Sequence, residues 1–210
     1  MKRLKIFSVI IAAIAAFGYW GMVTHPPEFT KKVFKEPHWM LRSNIHGIDV
    51  REIGSMSFRC YDAQGNLKWE ELDRTNSLAD EGEYMFLDVT LRAGTPPSTF
   101  YLRLFNDTPV DTDTLGSITG EASGNGYTAQ EITRNTTGWP TLALDSGDMQ
   151  VTSTTETFTA SGGSWGPVTY CVLATTTDGT GKFVSYVALS QSRTLANGES
   201  LQVTYKLKLQ

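Results

Sequence analysis

Three histidines, His25, His38 and His46, are the side chains in this 210-residue chain best suited to metal binding or proton transfer. They are spaced 13 and 8 residues apart, which supplies none of the close ligand pairs that zinc sites use. No histidine follows His46, so the rest of the chain cannot build a Ser-His-Asp relay. Asp107, Asp111 and Asp113, in NDTPVDTD, offer the oxygen donors calcium prefers. That run lacks the glycine and terminal glutamate of an EF-hand loop and reads as a solvated turn. Asp145 and Asp148 could serve as a glycosidase carboxylate pair or simply as an acidic turn. Gly120-Glu-Ala-Ser-Gly-Asn-Gly126 is glycine-rich but carries no lysine followed by Ser or Thr, so it reads as a tight connection rather than a phosphate cradle. Trp139-Pro140 and Trp165-Gly166-Pro167 fit either sugar stacking or burial at sheet ends. Asn106-Asp-Thr and Asn135-Thr-Thr match glycosylation acceptors. No catalytic, cofactor-binding or metal-ligating set converges.

The elements that hold these residues are mostly strands. Leu201–Leu209 alternates throughout, with Leu201, Val203, Tyr205, Leu207 and Leu209 on one face and polar residues on the other. Val168–Thr175 and Lys182–Leu189 flank Thr-Asp-Gly-Thr-Gly, a hairpin signal. Further strands are expected at Tyr127–Thr133, Leu142–Leu144, Met149–Ser153 and Glu156–Ala160. Upstream, Phe58–Tyr61 and Leu67–Glu70 flank a turn at Gly65-Asn66, where both residues tolerate positive φ. Ser77 is placed to cap a helix running to Arg92, with Asp80 three residues on and Gly94-Thr-Pro96-Pro97 as the stop. A compact apolar strand, Phe100–Phe105, follows. The spacing predicts a mainly β protein: an antiparallel β-sandwich, jelly-roll-like, with one covering helix.

The order YDAQGNLKWEE, helix, FYLRLFNDTP, GNGYTAQEI and Thr-rich strands resembles the minor virion structural proteins of tailed bacteriophages. Members of that family are tail-fibre-like or associated with the head or neck. The resemblance spans residues 56–210 and implies a non-enzymatic particle component, present in many copies or as a homo-oligomer, whose partners are other virion subunits. It also implies assembly in a reducing cytoplasm, where Cys60 and Cys171 would stay thiols. Spacing alone leaves a bridge between them open.

Charge divides the chain. Residues 1–50 hold seven Lys or Arg against three Asp or Glu, while the remainder holds 11 against 19. A body that acidic is a poor nucleic-acid binder, because phosphate contacts need clustered positive charge. Residues 1–23 read as an apolar helix: Met1–Lys5 carries three positive charges and Ile6–Val23 carries none. Eighteen helical residues span about 27 Å, near the thickness of a bilayer's hydrocarbon core. A cleaved signal peptide, a membrane anchor with Tyr19 and Trp20 at the interface, and a helix buried against other subunits all fit. Residues 24–55 show no sustained period and contain Pro26, Pro27 and Pro37 among Phe29, Phe34, Trp39 and Met40. Those four large side chains are costly to leave in water and are the expected anchors of an extended arm on a partner surface, with a poorly ordered linker as the other reading. The three expected units are thus 1–23, 24–55 and the β domain 56–210. A membrane-anchored module working outside the cytoplasm is the alternative to the virion role.

Overall fold

The computed structural model describes residues 52–209. The apolar run, the arm anchors Phe29, Phe34, Trp39 and Met40, and the three histidines lie outside the described residues. Among the described residues ten strands form two five-stranded antiparallel sheets, with one helix between the third and fourth strands. The first sheet has the order β2-β1-β10-β7-β6, from β1 (Glu52–Tyr61), β2 (Leu67–Thr75), β6 (Thr141–Asp145), β7 (Asp148–Thr159) and β10 (Ser200–Leu209). The second has the order β3-β9-β8-β4-β5, from β3 (Ser77–Leu78), β4 (Thr99–Phe105), β5 (Gln130–Thr133), β8 (Trp165–Ala174) and β9 (Phe183–Leu195). The chain is mainly β, as its sequence pattern requires.

Alternation within each strand explains the layering. Leu201, Val203 and Tyr205 of β10, with Met56 and Phe58 of β1, are buried against Leu102, Leu104, Cys171, Leu173 and Val187 of the second sheet in one continuous core. A buried aliphatic or aromatic side chain contributes about 1.5–3 kcal/mol, so this inner layer is the main source of cohesion. A smaller cluster around Phe105, Leu115, Val172 and Phe183 sits on the other face of the second sheet.

Several local expectations are corrected. Ser77 does not cap a helix: Ser77 and Leu78 pair with Tyr186 and Ser185 as β3, and helix α1 runs Asp80–Leu91 after Ala79, with no side-chain cap. Asp80, Glu81 and Glu83 in the first turn favour its positive end instead. Glu81 also accepts backbone hydrogen bonds from Phe183 and Leu115 at 2.9 and 3.1 Å, which ties the helix start to β9 and to the loop before β5. Gly82 is buried against the Val184 carbonyl, and a Cβ there would collide with it. At the far end Ala93, not Gly94, turns left-handed, with φ 58°.

In the β1–β2 turn only Gly65 has positive φ, at 83°. Asn66 closes the turn instead, donating from its backbone and side-chain nitrogens to Asp62 at 2.8 and 2.9 Å. Those Asn66 bonds, helped by Gln64, hold the Asp62 carboxyl below its ordinary range. Both strands of this hairpin run longer than their apolar residues suggest, because pairing with β10 carries β1 back to Glu52. Met149–Ser153 and Glu156–Thr159 belong to one strand, β7, because β10 pairs with it on both sides of a bulge at Ser153 and Thr154. Tyr127 is not in a strand; β5 begins at Gln130.

One side of the sandwich is closed by a buried ionic contact between the sheets. Glu71 of β2 accepts from Arg193 at 2.8 Å and from the Ser190 hydroxyl and amide of β9 at 2.7 and 2.8 Å. The Arg193 guanidinium lies 4.0 Å from the centre of the Trp69 ring. Burial pushes the Glu71 carboxyl up, but the bonds from Arg193 and Ser190 outweigh it and leave the group below its ordinary 4.5. Its contribution to stability is therefore complete above pH 4.5 and is lost as pH falls through the lower folded-state value. Glu71→Gln would leave Arg193 without its buried counter-charge and should cost about 3–5 kcal/mol. Denaturant unfolding at pH 7 checks the loss, and the gap between wild type and variant should narrow as pH falls below 4.5 and through the lower folded-state value.

Candidate functional site

The residues singled out for chemistry are kept apart by the fold. Asp107, Asp111 and Asp113 each serve a different local bond. Asp107 accepts from the Thr108 and Thr119 amides, both at 2.7 Å, and these bonds lower its carboxyl below the usual range. Asp111 accepts from the Tyr186 hydroxyl at 2.8 Å, and Asp113 from the Val110 amide at 2.9 Å. Among the described residues no group of three or more His, Cys, Asp or Glu could hold a metal ion. Asp145 and Asp148 flank the β6–β7 turn and share one lysine, with Lys208 Nζ at 3.3 and 3.5 Å. A glycosidase needs its two carboxyls to flank a sugar-binding cleft; these two lie at a solvent-facing hairpin end, both paired with the same lysine.

Gly120, Gly124, Asn125 and Gly126 all take positive φ, between 47° and 81°, so the glycine-rich run is a folded connection. It is held by a buried polar cluster. Arg103 of β4 donates to Glu121 at 2.9 Å and to the Asp178 carbonyl at 2.8 Å. Tyr127 donates to the same Glu121 at 3.0 Å and accepts from the Leu104 amide at 2.9 Å. Burial, more than any other cause, pushes the Tyr127 hydroxyl far up, so it remains a neutral donor. Arg103 thus fixes two separate loops, the one before β5 and the β8–β9 connection.

The tryptophans belong to the core rather than to a sugar platform. Trp165 is buried, and its ring meets Tyr127 and Phe158 at 5.4 and 6.4 Å between centroids. Trp139 is half-buried, edge-on to Phe100 and Tyr205 at 5.7 and 5.9 Å. It borders a cavity of about 270 Å³ between α1 and the sandwich, walled by Met85, Phe86 and Val89 of the helix and by Val151, Tyr205 and Leu207. Arg134 is the single charged residue on its wall. Such a lining suits an apolar side chain and offers nothing for acid–base chemistry.

Apolar side chains also stand in solvent. Leu142 and Leu144 of β6 are 70% and 71% exposed, Met149 of β7 is 43% exposed, and Leu87 and Leu91 of α1 are exposed as well. Pairing puts Leu142 beside Val151 and Leu144 beside Met149, on the face of the first sheet that leads into the cavity. Sequence reasoning placed a strand here without seeing its exposure, since T-L-A-L-D alternates like any half-buried strand.

Two layered antiparallel sheets, with loops locked by ion pairs, define a β-sandwich. The chain belongs to the family described as Podophage GP4 fiber I protein gp80, which it matches over residues 77–208. No curated protein matches it. The family match makes the chain a phage structural component of the fibre type. It starts at Ser77, so the YDAQGNLKW hairpin stands outside it, and it carries nothing about a head or neck position. Among the described residues no helix is long and apolar enough to cross a membrane.

Cys60 lies on the first sheet and Cys171 on the second; both are free and buried. Burial pushes both thiols up, with Glu199 adding to the effect at Cys60. A thiol held protonated is a poor nucleophile. Both should therefore resist a thiol reagent in the folded protein and react together on unfolding. The melting temperature should be the same with and without reductant, since no bridge of about 2–5 kcal/mol is there to lose.

Proposed function

We propose that this chain is a non-enzymatic fibre-type subunit of a phage particle, held to neighbouring subunits by the large apolar side chains of its N-terminal arm. The observation that carries the reading is the family match over 77–208, on a body in which Asp107, Asp111, Asp113, Asp145 and Asp148 each make structural contacts. Phe29, Phe34, Trp39 and Met40 are large apolar side chains set among prolines that prevent a local helix or strand from covering them. Each could contribute about 1.5–3 kcal/mol when buried on a partner, which in sum would fix a subunit in a particle. The 18-residue uncharged run Ile6–Val23 supports the second reading, a membrane-tethered module.

A chain lacking residues 1–43 keeps every described strand and loses all four anchors. It should remain soluble, unfold cooperatively and be missing from purified particles, while the full chain enters them at a fixed copy number. Incorporation of the shortened chain at normal copy number would remove the arm as the clamp. Full-length protein found in host membrane and missing from particles would establish the tethered module instead. Neither form should hydrolyse peptidoglycan or surface polysaccharide. Turnover abolished by Asp145→Asn or Asp148→Asn would overturn the non-enzymatic reading.

A further inference from the structure

We propose that the free edge of β6 is a self-pairing surface, where a second copy of this chain adds its own β6 in antiparallel register centred on Ala143. The inference starts from a mismatch between pattern and burial. Thr141-Leu-Ala-Leu-Asp145 alternates like a strand with one covered face, yet all five residues are exposed, and among the large apolar side chains of the described residues only Leu91 is more exposed than the two leucines.

The other three sheet edges are guarded as edges usually are. β2 carries Lys68, Glu70, Asp73 and Arg74, and its pairing with β1 is broken by two register shifts. β3 is two residues long, and β5 is four, with Glu131 on it. β6 has no lysine, no proline within it and an unbroken register with β7. It is last in its sheet, and among the described residues no strand pairs with its outer side.

Backbone geometry selects the occupant. Ser146 and Gly147, both at positive φ (55° and 99°), form a two-residue turn closed by the Asp145–Asp148 pair. In such a hairpin the residues alternate, so Thr141, Ala143 and Asp145 direct their backbone groups at β7. Leu142 and Leu144 direct theirs at the open edge. A second β6 related by a two-fold axis through Ala143 places Leu142 opposite Leu144 of the second copy, and Leu144 opposite its Leu142. Both pairs are then hydrogen-bonded pairs, giving four backbone hydrogen bonds across the junction. The same register gathers four leucines on one face, where cross-strand apolar pairs reinforce the ladder. The strand ends match as well, Thr141 against Asp145, and Lys208 already neutralises that carboxylate from its own chain. A five-residue strand that is self-complementary in both backbone phase and side chains points to its own copy rather than to a different protein. This surface is separate from the arm and does not depend on arm docking.

The test uses the full chain carrying Ala143→Cys. In the proposed register the two introduced thiols form a non-hydrogen-bonded pair with Cα atoms about 4.5 Å apart, within disulfide reach. Cys60 and Cys171 are buried and do not compete. With oxidised glutathione as the electron acceptor, a covalent dimer should form. Adding Leu142→Lys with Leu144→Lys sets lysine against lysine twice and should reduce the cross-linked fraction to background. Adding Leu142→Lys with Leu144→Glu sets lysine against glutamate twice and should restore it. Circular dichroism confirms that every variant is folded. A chain that stays monomeric with Ala143→Cys, or two double variants that cross-link alike, would overturn the proposal.

Discussion

Tyr205 stands on the inner face of β10 with 1% of its surface exposed, and its hydroxyl must find partners where water cannot reach. It finds them on both sides of a sheet crossing: Asn76 Nδ2 donates to it at 3.0 Å, and the Ser185 hydroxyl of β9 lies 3.2 Å away. Its backbone amide donates to the Ser153 hydroxyl of β7 at 2.9 Å. A buried polar group left unpaired costs about 1–3 kcal/mol, so these bonds specify one arrangement of the surrounding elements. Asn76 is the residue at which the chain leaves the first sheet for the second. Fixing it fixes β3, and β3 sets where α1 begins. Helix, cavity and the course of the chain past β4 all follow from that placement.

What could be read from the sequence was whatever a single strand or turn encodes. The alternation of β10 and the turn before Phe183 are local, and both formed where their residues indicate. The two-sheet architecture follows from many such strands with one apolar face each. Errors fell where a distant partner decides the outcome. Ser77 has the chemistry of a helix cap, but β9 recruits it into the sheet. The threonines in the middle of β7 look like a break, but β10 pairs with Thr152 and Thr155 on either side of a bulge and keeps the strand whole. Tyr127 has a β-forming side chain, yet its hydroxyl is drawn to Glu121 and Leu104. No local pattern separates an edge strand from a central one, so the exposure of Leu142 and Leu144 could not be foreseen. The aspartates and tryptophans gave weak chemical signals because their types suit structural work equally well, and in this fold they do that work.

The body joins two kinds of surface. Its interior and loops are tied together by polar networks, as around Arg103 and Glu71, which leave little freedom to rearrange. Its outer surface keeps apolar side chains at one sheet edge, on one helix face and around one cavity. A subunit of a large assembly has use for this division. Rigidity preserves the spacing between contacts, and exposed apolar groups supply contacts at the cost of solubility as a lone molecule.

The pairing of β1 with β10 has a mechanical side. Glu52 lies opposite Leu209, so the first and last described residues leave from the same end of the sheet. Tension that enters through Glu52 and is resisted at the opposite end of the sandwich runs parallel to β1, and all ten of its residue pairs with β10 bear the load together in shear. Tension that instead draws residues 52 and 209 apart opens the ladder one pair at a time, from that end inward. A body hung from its N-terminal side is therefore held in its strong direction, and the direction of loading, not the number of bonds, sets the force at which it opens.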